Sequence, residues 1–137
     1  MQKKSYKIGK YLNILLLVLA ILITLISIFV AYSLLKNASQ DHPTSLLPII
    51  FLAVIGLPIL DFIVLVICLV FMFKDKPWSY FVTGLISASI FLDSINTLFK
   101  YQIGINWRMV LTSIFWIILI ILSFYMHSQT RKKSKKK

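Results

Sequence analysis

The sequence predicts an all-α fold: an integral membrane, antiparallel four-helix bundle with both the N and C termini cytoplasmic. Three observations carry this. Hydrophobic residues make up 59% of the 137 residues and charged residues only 14%, against roughly 25% charged in a soluble domain. Four apolar runs, 11–35, 46–73, 78–98 and 107–127, each match the roughly 20 residues that cross a hydrocarbon core. The terminal segments and the short connections between the runs hold most of the charge. Strands are excluded by length and by the lack of sustained alternation. The loops leave no room for a second domain.

Residues 1–10, MQKKSYKIGK, are basic. The uncharged run 11–35 follows and spans ~37 Å as a helix. A signal-peptide core is usually about 7–15 residues, so this longer run reads as a retained first span. Residues 36–45, KNASQDHPTS, read as a polar loop, with Asn37, Asp41 and Pro43 as turn formers. Thr44 or Ser45 suits a cap for the second span, and Pro48 its first turn. That second span carries Gly56 and Pro58. Pro58 cannot donate to the carbonyl of Val54, so a kink is expected there.

Lys74-Asp75-Lys76 is a very short connection, with Asp75 as a cap and Pro77 in the following first turn. Trp78, Tyr80, Trp107 and Tyr125 read as interfacial anchors. The third span is the most polar. Gly84 and Ala88, flanked by Thr83 and Ser87, form a small-residue face suited to close helix packing. The fourth span follows a turn at Gly104, with Asn106 as a cap. The tail 131–137 places Arg131, Lys132, Lys133, Lys135, Lys136 and Lys137 in seven residues.

Charge sets the orientation. The fifteen Lys and Arg face four Asp and no Glu, a net of +11. Four spans put both termini on one side, which then collects twelve basic residues. The other side has Lys36, Lys100 and Arg108. The positive-inside rule places the twelve in the cytoplasm. Basic residues at span ends favour anionic lipid headgroups as partner, rather than nucleic acid. The other partner class is a second membrane protein or a further copy of the chain. The cell membrane of a bacterium is the expected location.

Asp61 is an acid within an apolar span, which is costly and marks a site by default. Helical rise puts Asp61 ~18 Å from Phe73 and Asp93 ~22 Å from Trp78. Thr24 and Ser27 of the first span, Asn96 of the third, and Arg108 and Thr112 of the fourth fall at neighbouring depths. Together they compose an expected polar cluster in the outer half of the bundle. The competing expectation for Asp61 is a protonated acid that joins helices by hydrogen bonds.

No metal or cofactor site is expected. His42 and His127 fall on opposite sides of the membrane, and the single Cys68 makes no redox pair. No HExxH or GxSxG pattern is present, so the expectation is not an enzyme. Small multidrug transporters share the size, yet this first span lacks their acid. Small size and a basic C terminus give an architecture similar to phage holins. The expected function is a non-enzymatic accessory, interaction or immunity-type membrane protein acting through helix contacts. The alternatives are a small transporter or channel subunit using Asp61 and Asp93, and a holin-like pore former.

Overall fold

A computed structural model describes residues 2–41, 47–101 and 107–134. The described residues form four α-helices and no strand: α1 (Gln2–Asp41), α2 (Leu47–Phe73), α3 (Pro77–Tyr101) and α4 (Trp107–Ser134). Each is long and apolar enough to cross a membrane. They pack as a bundle in which α1 and α3 each contact both α2 and α4.

The packing follows from residue spacing. Buried positions on α1 are Asn13, Leu17, Ala20 and Thr24; on α2, Leu65, Cys68 and Met72; on α4, Trp116, Leu119, Ser123, Met126 and Thr130. Steps of three and four keep one narrow stripe of each helix on its neighbours. On α3 the stripe runs Ser79, Thr83 and Ser87, with Tyr80 beside it. Side chains off these stripes are exposed and apolar, including Leu22, Phe29, Ile67, Leu85 and Ile121. An all-round apolar exterior over a partly polar seam suits hydrocarbon rather than water.

Helix boundaries depart from the apolar runs. The loop expected at 36–45 is helical through Asp41. Residues 36–41 contain no Gly or Pro, so nothing breaks the helix before the residue preceding Pro43. The basic ends are helical too, from Gln2 in α1 and to Ser134 in α4. Arg131, Lys132 and Lys133 fall in the last turn of α4, where the helix dipole favours cations. α2 runs unbroken through Gly56 and Pro58. Thr44, Ser45, Gly104, Asn106 and Lys135–Lys137 lie outside the described residues.

Tyr80 corrects one expectation. It is a fully buried core residue rather than an interfacial anchor. It packs with Ile14, Leu17, Leu65, Cys68, Met72 and Met126. Seven residues separate it from Ser87 on the α3 stripe, two helical turns on the same face. Trp78, Trp107 and Tyr125 are exposed, and Trp116 is buried beside Ala20 and Leu119.

Candidate functional site

The α2–α3 turn is built by a backbone motif usually closed by glycine. The amide of Asp75 donates to the carbonyl of Met72 (3.1 Å), and that of Lys76 to Phe71 (3.2 Å). These are the two bonds of a Schellman cap, with Asp75 in its left-handed position at φ 54°. Pro77 then opens α3, where its missing N–H costs nothing. Phe71 and Trp78 stack across the turn at 4.8 Å, and Lys74 lies over Phe71 at 5.5 Å.

The Asp75 side chain compensates for its strained backbone. Lys10 lies 2.7 Å from Oδ1, and the Tyr6 hydroxyl donates to the same oxygen at 3.0 Å. Lys133 lies 3.4 Å from Oδ2 and stands 4.6 Å over the Tyr6 ring. Lys10 also reaches the carbonyl of Phe73 at 3.3 Å, and Tyr6 approaches the Thr130 hydroxyl at 3.4 Å. One carboxylate thus joins the start of α1, the α2–α3 turn and the end of α4. Burial alone would raise its pKa, but hydrogen bonds from Lys10 and Tyr6 and the charges of Lys10 and Lys133 outweigh that. They hold the carboxyl below its ordinary value of 3.8. Beside this node, His127 donates from Nδ1 to the carbonyl of Pro77 at 2.8 Å, which fixes its tautomer.

Beneath the node the seam stays polar. The Asn13 amide donates to the Ser123 hydroxyl at 3.2 Å, both fully buried. Thr83 bonds back to the carbonyl of Ser79 (2.8 Å) and lies within hydrogen-bonding reach of Cys68. Gly84 allows Phe124 of α4 to approach: a Cβ there would sit 3.1 Å from the ring. Ala88 is half-buried. The small-residue face of α3 therefore packs inside this chain, against α2 at Thr83 and α4 at Gly84.

The expected outer cluster is placed as follows. Asp61 on α2 is half-buried and Asp93 on α3 exposed. Thr24 is buried, but its hydroxyl donates to the carbonyl of Ala20 on its own helix (2.8 Å). Ser27 is exposed and bonds to Ile23 in the same way (2.9 Å). Asn96 and Thr112 are exposed. Arg108 has no described side chain and His42 no described position. Thr24 and Ser27 thus spend their hydroxyl hydrogens on α1 itself.

Sequence reasoning passed over Tyr6, Lys10, Asn13 and Ser123 as site residues. A signal existed: 6, 10, 13, 17, 20 and 24 step by four and three, so the polar members share the stripe of Leu17 and Ala20. No family model, curated protein or solved structure matches this chain.

Proposed function

We propose that the chain is a multi-pass membrane protein, an antiparallel four-span bundle with both termini in the cytoplasm, that acts by contact rather than catalysis. Its working surface is the basic end around Asp75. One observation carries this. Lys7, Lys10, Lys74, Lys76, Arg131, Lys132 and Lys133 gather where α1 begins, α2 meets α3 and α4 ends, and Asp75 is the acid among them. A carboxylate engaged by two of those lysines leaves the others as cations for anionic lipid phosphates or an acidic membrane partner.

The test is binding at that end. The intact protein in nanodiscs should recruit anionic lipid over phosphatidylcholine, and reversing Lys74, Lys76, Arg131 and Lys132 to Glu should abolish the preference. Equal recruitment before and after reversal would remove the proposal.

A second function, a small transporter or channel subunit, draws on Asp61 of α2 and Asp93 of α3, two acids on otherwise apolar helices. Acids within apolar helices suit a cation or proton site. Reconstituted protein would then show ion- or proton-coupled flux, lost in Asp61→Asn without loss of folding.

A further inference from the structure

Among the described residues, three buried side-chain atoms have no hydrogen-bond partner: Asn13 Oδ1, Tyr80 Oη and Ser87 Oγ. All three residues are fully buried. An unpaired polar atom in such a place forfeits its hydration without a replacement bond. Such groups are normally satisfied by protein or by ordered water.

The three share one region. Tyr80 packs with Ile14, Leu17 and Met72, about one turn along α3 from the connection that holds Asp75. Asn13 is ~10 Å along α1 from Tyr6, and its partner Ser123 is ~10 Å along α4 from Thr130. Ser87 is ~15 Å along α3 from Pro77, two turns beyond Tyr80. Thr83 stands between them, its hydroxyl hydrogen committed to Ser79. Met126 fills the α1–α4 contact at Gly9, where a Cβ would sit 2.8 Å from its sulfur.

The unpaired atoms also specify what they bind. Tyr80 and Ser87 each offer an O–H that needs an acceptor, and Asn13 offers a carbonyl oxygen that needs a donor. Turning the Asn13 amide over only exchanges which end pairs with Ser123. A cation satisfies the oxygen but not the hydroxyl hydrogens, and an anion does the reverse. Water does both, with two to four partners at each position.

We propose that the half of the bundle next to Asp75 is hydrated, and that Asn13, Tyr80 and Ser87 line a narrow track that takes ordered water. The track begins under the Tyr6–Asp75–Lys10 node. It ends at Ser87, close to the level of Asp61, which lies ~18 Å along α2 from Phe73. It gives the interior a connection to one aqueous face, whether or not Asp61 transports anything.

Thiol accessibility decides the matter. Ser87→Cys and the outward-facing Leu85→Cys, each with Cys68→Ala, are placed in phosphatidylcholine nanodiscs and treated with hydrogen peroxide, a thiolate oxidant close to water in size. Leu85 is exposed on the outer surface of α3, at nearly the same depth. The reactive thiolate forms only where water solvates it, so the thiol at 87 should react about tenfold or more faster than that at 85. Equal or slower reaction overturns the proposal, as expected if the Ser87 hydroxyl simply rotates onto the carbonyl of Thr83 and the seam is dry. The unsubstituted protein supplies a second measurement, independent of whether the variants fold. Water-to-protein magnetisation transfer should reach Tyr80 and Ser87 but not Leu85. Its absence at Tyr80 and Ser87 is equally fatal.

Discussion

Asp75 holds a left-handed conformation that costs a non-glycine residue about 1–2 kcal/mol, and its carboxylate recovers part of that through Lys10, Tyr6 and Lys133. The two contributions separate by substitution. Asp75→Ala loses the ion pairs and keeps the strain, whereas Asp75→Gly loses the ion pairs and releases the strain. The glycine variant should therefore be the more stable of the two by about 1 kcal/mol in micellar unfolding. Acid tests the carboxylate itself. Its folded-state pKa lies below the unfolded value of 3.8, so its stabilisation is present above 3.8 and disappears as the pH falls below it. With the side chain 36% exposed, solvent screening limits the amount to under about 1 kcal/mol. Wild type and Asp75→Asn should thus differ at neutral pH and converge in stability well below pH 3.8. By its place before Pro77 the residue reads as a cap of the following helix, whereas its backbone closes the preceding one, α2. Its partners were not legible in the sequence, because they come from chain positions 69 residues before it and 58 after.

The helices carry their own order. Alternating steps of three and four along each seam, with small or polar residues at the closest approaches, let the backbones meet without a large apolar core. Gly84 is the tightest such point on α3, since even a Cβ would press on Phe124. Gly84→Leu should destabilise the bundle by about 1–3 kcal/mol. It therefore disrupts this chain's own fold before it reports on any partner. Ala88→Leu, at a half-buried position, is the better probe of contacts between molecules. Asn13 and Ser123 should be coupled as well. A double-mutant cycle through Asn13→Ala and Ser123→Ala should return about 0.5–1 kcal/mol, the usual scale of a hydrogen bond between membrane helices. Sequence reading gave the existence and order of the helices because run length and apolarity decide both. Charge drew attention to Asp61 and Asp93 and away from a second group of polar residues nearer the termini. Rotation decides which polar groups meet, and neutral Asn13, Ser123 and Tyr80 are among those turned inward.

At the scale of the whole molecule, charge and packing point to the same end. The residues gathered around Asp75 come from the same segments that hold twelve of the fifteen basic residues. Translocating that end across a bilayer would require moving a cross-linked group of cations, not separate lysines. In the proposed membrane topology, orientation should therefore withstand partial loss of charge. Replacing Lys3, Lys4, Lys7 and Lys10 by Gln leaves eight basic residues on the terminus side against three on the other, still a strong positive-inside bias. A C-terminal reporter active only in the cytoplasm should remain active in that variant, at the wild-type level per molecule. Neutralising Lys74, Lys76 and the six basic residues of the tail as well removes the bias, leaving the other side the more basic. The same reporter should then fall silent in a large share of molecules. Silence in the wild type would reverse the orientation outright. Continued activity after all twelve are lost would mean that something other than charge holds the termini inside.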